Sequence, residues 1–270
     1  MLIIAFILGT LFGSFLNVVI LRIPKKESIV FGASHCYSCK TPLKPWHNIP
    51  IVSWLVLRGK CSFCSSKISM QYPIIELVSG LIFLLIAAKF TLTLPALFIA
   101  LSFLMLLALS VIDFRYKMVP DSLNLAAMFF AIFGAWSLGG VLLNLQNALL
   151  FAGAFTLLRF ALSYYLTSSI YRTAQKTKTS WNKFYDRTPF VEALGEGDIM
   201  VAATMGALLG MKLTLVAIFL SALLALPVML LVLKRSAEEQ RVPFVPFLAL
   251  ATLIVYIFDS PILAYIEVNY

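Results

Sequence analysis

Two stretches set carboxylates at the margins of apolar runs: Leu109-Ser-Val-Ile-Asp113 closes one, and Ala193-Leu-Gly-Glu-Gly-Asp198-Ile-Met opens another. An ionisable group in or beside a membrane span is costly, so each is a functional candidate. If the two approach, repulsion and partial desolvation leave them sharing one proton. One carboxylate then acts as general base on a water, and the protonated one polarises a peptide carbonyl and helps the amine leave. That is amide hydrolysis without a catalytic metal or a nucleophilic serine. Gly195 and Gly197 fit it, because a substrate strand can pass close to a glycine main chain. On spacing alone a plainer role stays open, with both aspartates as helix caps in headgroup water.

A second constellation is Cys36-Tyr-Ser-Cys39 and Cys61-Ser-Phe-Cys64, two CxxC pairs 21 residues apart. Two such knuckles turn four thiolates toward one point, the arrangement of a structural zinc site. Four sulfur ligands leave no position for water, so the metal is expected to fold the loop and do no chemistry. The alternatives are two redox pairs, which a reducing cytoplasm disfavours, and ligation by His35 or His47 in place of a cysteine.

These groups are positioned by elements that belong in a bilayer. Of 270 residues 61% are hydrophobic and 12% charged, with a mean hydropathy of +0.96; a soluble domain is roughly half apolar. Apolar runs at 1–21, 74–90, 94–112, 122–143, 147–166, 199–211, 213–233 and 243–263 predict about eight spans. The fold class expected is therefore an all-α polytopic membrane protein. With the N-terminus outside, the cytoplasmic segments 22–73, 113–121, 167–198 and 234–242 hold 18 of the 21 basic residues, as the positive-inside rule requires. Their placement argues for lipid and against nucleic acid as the partner of the net +9 charge. The first run is no cleaved signal, since its bases Arg22, Lys25 and Lys26 follow it. Three regions are expected: a first membrane helix over 1–23, a cytoplasmic zinc-binding loop over 24–73, and a seven-helix membrane body over 74–270. The run after Asp198 is short, which predicts non-helical backbone lining a wet cavity at its entry.

The Gly-Glu-Gly-Asp turn resembles the GxGD signature of membrane aspartyl proteases. Four further stretches resemble one branch, the bacterial type IV prepilin peptidases: Gly13-Ser-Phe-Leu-Asn-Val-Val-Ile-Leu-Arg-Ile-Pro24, the paired CxxC with Trp46-His-Asn-Ile-Pro50 between, Tyr72-Pro-Ile-Ile-Glu-Leu-Val-Ser-Gly80, and the Asp113–Asp121 segment. The resemblance spans about residues 9 to 247. It implies that Asp113 and Asp198 are the catalytic pair at the cytoplasmic face of the bacterial inner membrane, and that Cys36, Cys39, Cys61 and Cys64 hold zinc. It further implies substrates that are type IV prepilins or type II secretion pseudopilins, cut after the glycine ending a short basic leader. Methylation of the new N-terminus, with S-adenosylmethionine as donor, is implied by resemblance alone; no glycine-rich nucleotide fingerprint marks a donor site.

The sequence departs from that pattern in three places. The polar segment before Gly195 is long, Met200 stands where a lysine is frequent, and Pro243-Phe-Val-Pro246 replaces Pro-Phe-Gly-Pro. The last two are expected not to touch the aspartates. Glu76 resembles a family position suited to methyl transfer or substrate orientation, or else is a buried carboxyl paired to a base. Asp121, after Pro120, reads as a helix N-terminal residue. Asn17, with Gly9 and Gly13, reads as helix-packing surface. Arg159 either snorkels or pairs with an acid of the site. Asp186, Glu192 and Glu196 are placed to attract a basic leader, or are simply a solvated charged loop. Two other functions fit the same aspartates less well: a proton-coupled membrane transporter, and a methyltransferase without proteolysis.

Overall fold

The computed structural model describes residues 1–31, 34–135, 139–176, 195–232 and 242–269. The helices are α1 (Leu2–Arg22), α2 (Val52–Val56), α3 (Gln71–Phe90), α4 (Leu94–Tyr116), α5 (Asp121–Gly134), α6 (Val141–Lys176), α7 (Glu196–Val232), α8 (Val245–Ile257) and α9 (Asp259–Asn269). Among the described residues there is no strand; the only extended pairings are the isolated bridges His35–Pro42 and Lys60–Lys67.

α1 carries no charge before Arg22 and at about 1.5 Å per residue is long enough to cross the hydrocarbon. α4 is delimited by its ends. Thr93 caps its first turn by accepting the Ala96 N–H at 3.3 Å, and Lys117 in the left-handed region closes it, its N–H donating to the Asp113 carbonyl at 2.9 Å.

α1 packs along α3, and α4 lies against α5, α8 and α3; α7 packs on α5, α6 and α8. The closeness of α1 to α3 depends on its small residues. A β-carbon on Gly9 would fall 2.6 Å from the Ser79 carbonyl oxygen, so the Gly9–Gly13 face and Asn17 are packing surface, as expected. The Asn17 amide adds a 3.2 Å bond to the Tyr72 carbonyl. One continuous core, including Leu16, Ile20, Leu109, Ile112, Met205 and Leu248, joins these helices. Large apolar side chains such as Ile3, Leu157, Phe219 and Leu231 face outward, a surface that only lipid covers at low cost. The chain is thus an all-α, multi-pass membrane protein.

The expected count of eight spans is not confirmed. Five helices are long and apolar enough to cross, or six if α8 and α9, bent by 76°, form one broken span. The run predicted at 122–143 divides: α5 stops at Gly134, 14 residues long, and α6 starts at Val141 and continues to Lys176. The runs predicted at 199–211 and 213–233 both fall in α7, which breaks at Gly210 (φ 70°, ψ −178°). The break is sharp. The Thr214 hydroxyl donates to the Met205 carbonyl at 3.2 Å, although nine residues of straight helix would part them by about 13 Å. At the α8–α9 bend, Lys89 of α3 pairs with Asp259 at 2.6 Å and donates to the Tyr256 carbonyl at 2.7 Å.

Candidate active site

The loop between α1 and α3 contains two copies of one small turn. In the first, Cys36 N–H donates to the Thr41 carbonyl and Lys40 N–H to the Cys36 carbonyl; in the second, Cys61 N–H donates to Ser66 and Ser65 N–H to Cys61. Lys40 and Ser65 take matching left-handed conformations, at φ 58° and 57°. This repetition presents all four sulfurs inward, each within 4.8 Å of the others, with no histidine nitrogen in the cluster. Tetrahedral zinc with sulfurs at about 2.3 Å separates them by about 3.8 Å, which is the Cys36–Cys64 distance of 3.8 Å. The cysteines are unbridged. Two of the four thiols are lowered by their surroundings, while Cys61 is raised: the Cys39 main-chain N–H, helped by those of Ser38 and the Ser66 hydroxyl, pulls the Cys36 thiol from 9.0 down to about 6. Cys64 is lowered chiefly by the Ser66 hydroxyl, 3.2 Å away. The donor set therefore fits zinc closely.

The loop is fastened to the membrane helices by Glu76. Its carboxylate, 6% exposed, accepts the Ile51 N–H at 2.7 Å and a bond from the Ser14 hydroxyl. Ile51 is held at φ 61°, a strained setting for a β-branched residue that the bond to Glu76 helps to maintain. The buried Glu76 has no basic partner among the described residues, contrary to one expectation for it.

Asp113 lies in the last turn of α4 and is 7% exposed. Its Oδ2 accepts the Val245 main-chain N–H at 3.2 Å, at the first turn of α8. The expectation that the Pro243–Pro246 segment does not touch the aspartates is thereby overturned. The contact comes from main chain, so any residue but proline can make it.

Asp198 occupies the first turn of α7 and folds back to accept the Gly195 N–H, half of a capping box. Two contacts hold the turn there. A β-carbon on Gly197 would come within 2.5 Å of the Val119 Cβ, and the Asn124 amide reaches the Gly197 carbonyl at 3.5 Å. Val119 sits on the short link between α4 and α5, so the glycine turn docks just beyond the helix end that bears Asp113. Asp121 is the first residue of α5, as expected of a helix N-terminal acid.

Arg159 pairs with Glu196 of the glycine turn at 3.1 Å, which settles the two alternatives left open for it. Asp186 and Glu192 lie outside the described residues. Sequence reasoning missed Asn124 and Val245 as parts of this site; the only signal for either was its nearness along the chain to a flagged motif.

With this geometry in hand, the family models are informative. The Bacterial Peptidase A24 N-terminal domain matches residues 7–90 and the Type IV leader peptidase family matches residues 99–230. A Neisseria gonorrhoeae protein named prepilin leader peptidase/N-methyltransferase is 32% identical, the match covering 93% of this chain and 88% of that one. The chain belongs to the type IV leader peptidase family. Relatives of the same name in Xanthomonas campestris pv. campestris, at 32% identity over 94% of this chain and 90% of theirs, and in Pseudomonas aeruginosa, at 30% over 95% and 90%, match along nearly the whole length. No solved structure matches. The two family segments meet near the start of α4: the first contains the cysteine loop and Glu76, and the second contains both aspartates.

Proposed function

We propose that this protein is a membrane aspartyl endopeptidase that removes the basic leader from type IV prepilins or type II secretion pseudopilins and N-methylates the new terminus. The observation that carries the reading is the docking of the glycine turn that bears Asp198 against Val119, on the link just beyond the helix end that bears Asp113. A pair sharing one proton supplies both halves of amide hydrolysis. One carboxylate takes a proton from water as it attacks the scissile carbonyl, and the other donates to the carbonyl oxygen and then to the departing amine.

The remaining residues position this pair. Val245 N–H fixes the Asp113 carboxylate, while Val119 and Asn124 hold the glycine turn that carries Asp198. Cys36, Cys39, Cys61 and Cys64 would hold a structural zinc that orders the loop over the same end of the bundle. The distribution of basic residues supports an outside N-terminus and an active site at the cytoplasmic face of the inner membrane, where a leader precedes its own membrane helix. A first helix over 1–23, a loop domain over 24–73 and a catalytic membrane body over 74–270 is the division that follows. The S-adenosylmethionine used by the second activity would supply an electrophilic methyl group.

Nothing in the relatives supports a proton-coupled transporter. Cleavage of a purified prepilin tests the reading: the wild-type chain shortens it, and a chain lacking either aspartate carboxylate does not. Shortening by both alike would refute it.

A further inference from the structure

α8 is held at both ends by charged side chains of other helices. At its first turn the Val245 N–H donates to Asp113 Oδ2 of α4 at 3.2 Å. At its last turn Lys89 Nζ of α3 donates to the Tyr256 carbonyl at 2.7 Å. The end groups of a helix have no partner within it, and the dipole favours an acid at the start and a base at the finish. From Val245 to Tyr256 is about 17 Å at about 1.5 Å per residue, so the two caps clamp one short helix lengthwise.

The Lys89 contact replaces a bond that the chain gives up. In an uninterrupted helix the Ser260 N–H would reach the Tyr256 carbonyl, four residues back. At the 76° bend between α8 and α9 it turns instead to Asp259 Oδ1 at 2.6 Å, and Lys89 supplies the missing donor. Asp259 Oδ2 holds the same ammonium at 2.6 Å, with the two side chains 24% and 20% exposed. The Tyr256 ring covers it at 4.9 Å from the centroid. A pair this far out of water is weakly screened by salt.

The far end of this helix matters because the near end touches Asp113. Apolar packing of α8 on α4 and α7 is non-directional, whereas a hydrogen bond is lost beyond about 3.5 Å. Sliding α8 by less than one helical residue would part Val245 from Asp113.

We propose that Lys89 is a positioning residue for Asp113. By capping α8 at the end of the bundle opposite the aspartates, it fixes the axial position of the helix and so holds the Val245 N–H on the carboxylate. The proposal rests on the peptidase reading given above. Lys89 lies too far from Asp113 to touch substrate there, so its removal lowers turnover and leaves substrate binding alone.

Two readouts on the purified, zinc-loaded, full-length chain in detergent test this: amide hydrogen exchange of the peptide containing Val245, and the kinetics of prepilin cleavage well below the melting temperature. Lys89→Met is expected to speed exchange at the Val245 amide and to lower kcat, each by about tenfold, the worth of one hydrogen bond to a charged group, with KM within about twofold of wild type. Lys89→Arg, which keeps charge and donor, should restore both readouts. Asp259→Asn, with the lysine still in place, should move them the same way by less. Ile99→Ala empties a fully buried position in the part of α4 nearest Lys89; it should lower the melting temperature and change neither readout. Wild-type exchange and kcat in both Lys89→Met and Asp259→Asn, or shifts as large in Ile99→Ala, would overturn the proposal while wild-type cleavage still upholds the peptidase. A wild-type chain that cuts no prepilin would overturn the peptidase reading, and the catalytic role of Lys89 with it.

Discussion

The Val245 main-chain N–H donates to Asp113 Oδ2 at 3.2 Å, joining the start of α8 to the end of α4 across 132 residues of chain. The donor is main chain, so the side chain at 245 is free to change where the acid is not. Val245→Gly is expected to lower thermal stability, because a fully buried side chain is lost, while kcat stays within about threefold of wild type. A folded Val245→Gly protein without cleavage activity would show that the valine side chain, and not its N–H, positions the acid.

Gly197 leaves no room for a side chain against Val119. Gly197→Ala should displace the turn that holds Asp198 and lower kcat about 10- to 100-fold, the cost of forcing one extra carbon into a packed contact. Trimming the neighbour should restore much of the loss. Non-additive kinetics in Gly197→Ala with Val119→Gly, which removes the Cβ that the new methyl would meet, would report the contact, and strict additivity would deny it.

The Arg159–Glu196 pair has its carboxylate 81% exposed, so its worth to stability is under about 1 kcal/mol. Its place beside Asp198 suits a role in attracting a basic leader. Glu196→Gln should leave the melting temperature nearly unchanged and flatten the salt dependence of KM for a prepilin. An unaltered salt dependence would assign the glutamate to its arginine alone.

Zinc should be measurable in the purified protein at one equivalent, and Cys36→Ser or Cys64→Ser should lose it. The Cys36 thiol is lowered from 9.0 to about 6, so its thiolate persists at neutral pH. A depressed thiol contributes stability above its unfolded value and loses it as pH falls through the folded one. Zinc retention should hold at neutral pH and fail on acidification, as protons compete with the metal for the sulfurs, followed by metal analysis after dialysis. Loss of zinc between pH 7 and 8 would contradict this.

The two kinds of site were legible in the sequence to different depths. The cysteines announce their geometry because two-residue gaps force paired sulfurs to one side, and the knuckles around Cys36 and Cys61 duly superimpose in hydrogen bonding. The aspartates announce only their cost. The meeting proposed for them depends on α4 and α7 each packing on α5, which hydropathy does not encode. Val245 escaped notice because a main-chain donor leaves no mark in a sequence, and Asn124 because one amide in an apolar helix has many uses. The count of eight spans goes unconfirmed where glycines intervene. Gly134, Gly139 and Gly140 punctuate what reads as one apolar run, and the two runs parted at Lys212 belong to one helix, α7, broken at Gly210.

The pairing of Asp113 with Asp198 is tested most directly by incubating a purified prepilin in detergent with wild-type protein, Asp113→Asn and Asp198→Asn, each verified as folded and zinc-loaded, and following the precursor by mass. Wild type should release the leader, and each variant should be slower by about 10³-fold or more. Cleavage by either variant within tenfold of the wild-type rate would contradict a mechanism built on two carboxylates.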